Sequence, residues 1–273
     1  MNSPLLALAL MHFYFSFCSG LKNATLVKSL QMQIVNGVDS GNDRPFYVKV
    51  IFGNNFCGGA IVDRSWVITA AHCVAAYRGN RRPVVEISRF SEPGSNLGLL
   101  IPTKKAFLHP NFRYTEQPMN DIALVRLRRP LIKGKFEAIA LCRESHDHGT
   151  FLGTCSMGAS SISGYKFPPR LQETFFVETK FQSRDPYDLR LCREDNICTD
   201  KIQGFKSSGL CYLDDGAPLF TFFCNSRIAN CLYGVASYYV EGSGNSNGCN
   251  GYNYFSSVPH LIDWIEDTIY KNS

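Results

Sequence analysis

The chain has 273 residues, 45% of them hydrophobic and only 19% charged, which is enough apolar surface for one large or two medium cores and excludes a disordered chain. A net charge of +5 is mildly basic and falls short of a nucleic-acid-binding composition. After the first 20 residues no run approaches the roughly 20 apolar residues that a spanning helix needs, so neither nucleic acid nor membrane is expected as a partner.

Residues 1–20 carry no charged side chain and end in Cys18-Ser19-Gly20 after an apolar run, which reads as a secretory signal. Residues 21–33 have the length and polarity of a short pro-segment, with a sequon at Asn23-Ala24-Thr25. Short β-rich runs follow at residues 46–52, 60–62 and 66–69, separated by Gly53-Asn54-Asn55 and Asp63-Arg64-Ser65, and another lies at residues 101–107. Repeated short strands between turn signals predict an antiparallel sandwich or barrel. Near the C-terminus, Leu261, Ile262, Trp264, Ile265 and Ile269 recur at near-helical spacing behind Pro259, predicting a helix over 259–270.

Once Cys18 leaves with the signal, an even set of cysteines remains, and in a secreted chain that reads as a disulfide framework. No Cys-x-x-Cys pair occurs, so a cysteine-based zinc site is not expected. Arg78, Arg81, Arg82, Arg126, Arg128, Arg129, Lys133 and Lys135 read either as a solvated surface or as a polyanion-binding patch.

Three motifs stand in fixed order: Thr69-Ala70-Ala71-His72-Cys73, Asn120-Asp121-Ile122-Ala123-Leu124, and Leu213-Asp214-Asp215-Gly216-Ala217-Pro218 anchored by Cys211. Together with Cys57-Gly58-Gly59-Ala60 they resemble the trypsin-like serine proteases, from Ile34 to the C-terminus. The resemblance implies an all-β fold of two six-stranded antiparallel barrels with a C-terminal helix. The first barrel would span about 34–145 and the second about 146–258 of a domain covering 34–273. It identifies His72 and Asp121 with the histidine and aspartate of the catalytic triad, in which a serine attacks, a histidine takes its proton and an aspartate fixes the histidine. Ile34-Val35-Asn36-Gly37 resembles the start of an activated chain, whose new ammonium group would meet Asp214. Gln33 stands before it where most relatives have Arg or Lys. The disulfides implied are Cys57–Cys73, Cys192–Cys198, Cys211–Cys249, Cys155–Cys224 and Cys142–Cys231, the last two exchangeable. Residues 86–97 lack the acids of the family's calcium loop, and no metal or other cofactor is expected.

The chain departs from the family where the chemistry resides. Asp215 takes the place of the nucleophilic serine. A carboxylate has no proton for histidine to remove, and attack through it would give a mixed anhydride in place of an acyl ester. Leu213 replaces the glycine whose N–H helps form the oxyanion hole, and its β-carbon can resist the required peptide orientation. Ser237-Tyr238-Tyr239 replaces Ser-Trp-Gly along the cleft, so the Tyr239 ring is expected to narrow it. Gly209 stands at the pocket base where a trypsin has Asp, so no preference for basic residues is expected. His72, set between Asp121 and Asp215, is expected to carry a proton.

These features imply a secreted, monomeric, inactive serine protease homologue. It would act by binding extracellular proteins as decoy, cofactor or inhibitor, with proteases, inhibitors or immune-cascade components as partners. Two alternatives are an active serine-type endopeptidase, favoured by the intact His72, Asp121, Asp214 and Ile34, and an extracellular polyanion or matrix binder.

Overall fold

The computed structural model describes residues 37–40, 44–75, 82–87, 98–132, 136–146, 150–159, 167–180, 191–201, 209–222, 229–240 and 252–273. The signal and pro-segment, with Ile34, lie outside them. The first barrel is built from β2 (Tyr47–Phe52), β3 (Asn55–Asp63), β4 (Trp66–Thr69), β5 (Val84–Ile87), β6 (Leu99–Leu108) and β7 (Ala123–Leu127). Hydrogen bonding closes it in the order β2-β3-β4-β7-β6-β5, which leaves no unpaired edge. Local chemistry sets the first hairpin, because Gly53 turns between β2 and β3 with a φ of 57° that glycine adopts without steric cost. β3 is longer than the apolar run at residues 60–62 predicts. Gly58 and Gly59, poor strand formers in isolation, are held by pairing with Lys49 and Val48.

The second barrel comprises β9 (Phe151–Ser156), β10 (Gln172–Thr179), β11 (Asn196–Lys201), β12 (Pro218–Phe222), β13 (Ala229–Val240) and β14 (Tyr252–Ser257). Its strand order is β9-β10-β11-β14-β13-β12, and β12 returns to β9. Two short strands extend it: β1 (Val38–Asp39) pairs with β10, and β8 (Ala140–Leu141) lies parallel to β13. One apolar cluster fills the first barrel and crosses the seam, where Phe46 of the first half meets Phe220 of the second edge to face at 5.5 Å, and a second cluster, with Leu152, Phe176 and Phe255, lies within the second barrel. A buried ion pair, Arg44 to Glu173 at 2.6 Å, lies in the same seam, with the guanidinium over the Phe220 ring.

Of the two helices named here, α1 is Ala71–Ala75 and α2 is Val258–Lys271. Ser257 caps α2 by accepting the His260 N–H, and a proline occupies the first turn. Val258, Leu261 and Ile265 of α2 are buried in the cluster that spans the two halves, with the helix packed against β13 and β8 and its Trp264 ring edge-on to His109 of the first half.

Disulfides join Cys57 to Cys73, Cys142 to Cys231 and Cys192 to Cys198. The Cys142–Cys231 bridge closes a separation of 89 residues and the Cys192–Cys198 bridge one of 6. In the chain-entropy account the first contributes roughly 4–5 kcal/mol and the second about 2. Cys211 is also disulfide-bonded, and Cys249, its expected partner, lies outside the described residues. The expected Cys155–Cys224 bridge is corrected: Cys155 is a buried free thiol. Strand register explains this. β9 and β12 pair Thr154 with Leu219 and Leu152 with Thr221, so β12 runs away from Cys155. Its last residue, Phe222, is already roughly 13 Å along the strand from the position facing Cys155, beyond the Cα distance a disulfide spans, and Cys224 itself lies outside the described residues.

Candidate active site

His72 sits on α1, which β4 delivers to the seam between the barrels and which the Cys57–Cys73 bridge ties back to β3. Asp121 lies just before β7 and is fully buried. The preceding residue, Asn120, takes a φ of 48°, a left-handed conformation that asparagine tolerates better than most side chains. Its N–H is held by Asp195 at 2.7 Å. This turn directs Asp121 inward, where Oδ1 accepts the His72 backbone N–H at 2.8 Å. Oδ2 accepts both His72 Nδ1–H at 2.7 Å and the Ser237 hydroxyl at 2.6 Å. Ser256 donates its hydroxyl to the Asp121 carbonyl oxygen at 2.9 Å. The buried charge is therefore answered on every side, and the imidazole is locked with its proton on Nδ1.

Residues 211–218 form the opposing wall. Turn bonds run from Asp214 N–H to the Cys211 carbonyl and from Ala217 N–H to the Asp214 carbonyl. Gly216 has a φ of 77°, and a side chain there would collide with the Gly58 carbonyl and the Thr69 hydroxyl. The loop touches the first barrel directly, since Gly58 donates its N–H to the Asp215 carbonyl at 2.7 Å. A β-carbon on Gly58 would press on the backbone of Ala217, so this glycine is what lets the two barrels close at this point.

The two aspartates of this loop occupy different surroundings. Asp214 is fully buried, accepting the Gly158 N–H at 3.1 Å and the Cys211 N–H at 2.8 Å. Burial pushes its pKa up to about 7, against the lowering effect of these donors and of Ser156. Asp215 is partly open to solvent and places Oδ2 3.7 Å from His72 Nε2, a charge contact and not a hydrogen bond. For His72, burial opposes the charged form, but the hydrogen bond to Asp121 and the two carboxylate charges outweigh it. Its pKa is pushed up to about 10.

Leu213 has a φ of 67°, in the region that a β-carbon disfavours. Ser237 is buried against Asp121, while Tyr238 stacks flat on Tyr254 at 4.4 Å. Tyr239 is half-buried on β13 opposite Asn253 of β14. Gly209 is buried beside Leu210, whose N–H the Asn253 side chain accepts at 2.8 Å. Several contributors carry no motif of their own: Asp195 behind Asn120, Ser256 behind Asp121, Gly158 beneath Asp214, and the exposed Tyr114, whose ring lies 6.4 Å from that of His72. Two groupings, Cys57-His72-Cys73 and Cys142-His146-Cys231, bring metal-binding residue types together. Their sulfurs are joined in disulfides and cannot act as thiolate ligands.

Two closed barrels with a His–Asp pair in their seam define a trypsin-like serine protease scaffold. The chain belongs to the trypsin family, whose model matches residues 34–265. It is 28% identical to dog anionic trypsin over 85% of this chain and 87% of that one. Pig trypsin is 27% identical, with 88% and 97% covered. It is also 27% identical to pig complement C1s subcomponent, over 82% of this chain and 34% of that longer protein. Among solved structures, mouse neuropsin, a serine protease expressed in the limbic system of the brain, superposes with a TM-score of 0.65 at 21% identity. That match covers 83% of this chain and 95% of neuropsin, and shows the same fold.

Proposed function

We propose that this protein is a non-catalytic member of the trypsin family that acts in the extracellular space by binding other proteins. The observation that carries the reading is the Asp121–His72–Asp215 row, in which a carboxylate faces Nε2 where a nucleophile's hydroxyl would stand. With its pKa near 10, the imidazole is already protonated at neutral pH and has no capacity to accept a proton as general base. The carboxylate opposite has no proton to give. Losing the nucleophile alone costs about 10⁶ in turnover in such triads. Leu213 and Tyr239 replace glycines that the resemblance assigns to the oxyanion hole and the cleft, which supports the same reading.

The kept scaffold then serves as a surface for proteases, their inhibitors or immune-cascade proteins, with the monomer as binding unit. The disulfides suit an oxidising compartment, which together with the signal-like first 20 residues supports secretion. Among the described residues no helix is long and apolar enough to cross a membrane. Asp214 is a buried carboxyl whose pKa burial raises, and an ammonium group such as that of Ile34 after cleavage would offset that cost, so both partners of an activation pair are kept in the sequence. The test uses protein beginning at Ile34, assayed by peptide-library cleavage and active-site labelling. No turnover and no label are expected; clear turnover by the unmodified protein would establish the endopeptidase reading instead.

A further inference from the structure

The outer face of the first barrel holds a second feature, separate from the cleft and independent of whether the cleft is silent. An open cavity of about 360 Å³ is lined by Arg82, Pro83, Val84, Pro102, Thr103 and Arg128. Its walls are fixed: Thr103 donates its hydroxyl to the Pro83 carbonyl at 2.7 Å, and Arg128 donates its backbone N–H to the Pro102 carbonyl at 2.9 Å. The Arg82 guanidinium is aimed by a bond from Nη1 to the Lys104 carbonyl at 2.6 Å.

From the cavity the positive charge continues along the sheet. The pairing of β6 with β7 shifts register between Thr103 and Lys105, and Lys104 and Lys105 are both exposed, where a regular pleat would turn one of them inward. Arg126 stands opposite Lys105, and Arg128 follows on the same outward face two residues on. Among the described residues none of these five cations is paired with a carboxylate. Nearby acids are otherwise placed: Glu86 of β5 lies opposite Lys49, and Asp63 accepts the Ser65 N–H. Arg78, Arg81, Lys133 and Lys135, grouped with them in the sequence, lie outside the described residues.

We propose that this face binds a sulfated polysaccharide, with one sulfate group taken between Arg82 and Arg128 and the chain following Lys104, Lys105 and Arg126. Guanidinium forks suit tetrahedral oxyanions, and a cavity opening onto a row of cations suits a polymer of repeated anions better than one small ion. Cations two residues apart on a strand face lie about 6.6 Å apart. A lipid surface is a poorer fit, because the exposed leucines of β6, Leu99 and Leu100, sit at the far end of the strand from the lysines.

The test measures binding of the full secreted protein to immobilised heparin, to its desulfated form and to acidic phospholipid vesicles at several salt concentrations. Heparin is expected to bind and the desulfated chain not to. An Arg82→Ser/Arg128→Ser variant is expected to lose roughly tenfold or more in affinity, and its dependence of log Kd on log salt should flatten by about 2, one for each lost cation. An Arg143→Ser/Lys271→Ser variant, which removes the same charge elsewhere, is expected to bind as the parent does. Equal losses in both variants would reduce the effect to net charge and overturn the proposal. Tighter binding to the vesicles than to heparin would assign the face to membranes and overturn it too. A thermal melt of each variant within a few degrees of the parent separates lost binding from lost folding.

Discussion

Asp121 and Asp215 face the same imidazole from opposite sides and are built in opposite ways. Asp121 has no exposed surface and receives hydrogen bonds from two strands and a helix of the chain, so its position is determined by many residues at once. Asp215 is held by its backbone, through the bond from Gly58, while its side chain is partly exposed. A site held by backbone can change its side chain without disturbing the fold; a site held through its side chain cannot. The contrast explains how the loop can carry a carboxylate at residue 215 without disturbing the seam, since its geometry depends on Gly216, Gly58, Cys211 and the backbone of residue 215, and not on the side chain there.

The strongest attempt to break this contrast is chemical. If the two sides are independent, Asp215→Ser should refold the same loop yet leave cleavage low, and adding Leu213→Gly and Tyr239→Gly should raise kcat/KM well beyond the single change. In serine protease triads the loss of the nucleophile costs of the order of 10⁶ in turnover, which sets the scale of the expected gain. Restoration of full cleavage by Asp215→Ser alone would show that Leu213 and Tyr239 do not obstruct the site.

Stability probes the same division. Asp121→Ala strands the Ser237 hydroxyl and the His72 donors in a buried place and should cost about 3 kcal/mol by urea denaturation. Asp215→Ala should stay within about 1 kcal/mol of the parent, because its side chain is in part solvated. Similar losses at both positions would end the distinction between side-chain-held and backbone-held sites.

A pH titration sharpens it further. His72 has its folded-state pKa raised from 6.5 to about 10, so its contribution is fully present below about pH 6.5 and is lost as pH rises through 10. Asp214, raised from 3.8 to about 7 by burial, acts in the same direction at lower pH: the folded state is favoured by the protonated form and loses that advantage between those values. NMR should find His72 titrating well above 6.5, and Asp215→Asn should lower that value. A His72 pKa at or below 6.5 would mean that the two carboxylates do not act together on it.

The smallest effect concerns Leu213. Its left-handed backbone should be relieved by Leu213→Gly, raising stability by about 1 kcal/mol in the same urea series. A destabilised Leu213→Gly protein would show that the leucine's packing outweighs its backbone strain.

Much of this architecture was legible in the chain. The turn at Gly53, the α2 stripe from Leu261 to Ile269 and the order of the His72, Asp121 and Asp215 motifs are local patterns, readable because strand alternation, helix periodicity and tight turns leave short-range marks. The pairing of Cys155 was misread, because strand register is set by contacts between distant segments and no local pattern carries it. For the same reason Asp195, Ser256 and Gly158 carried no signal as parts of the site: each contributes a hydrogen bond to a residue far away in the chain, at separations of 75, 135 and 56 positions respectively.

The sequence by itself determined which atoms are available at the seam: two carboxylates around one imidazole, and no hydroxyl at residue 215. Side-chain identity decides what chemistry is possible, and that needs no coordinates. Tertiary structure alone decided that Asp121 is fully enclosed and Asp215 partly open, that Leu213 bears a strained backbone, and that a bulge in β6 turns two lysines outward beside Arg82 and Arg128. Burial, backbone strain and register are properties of the packed chain, and they convert the same residue type into a buried acceptor at one position and a solvent-facing charge at another.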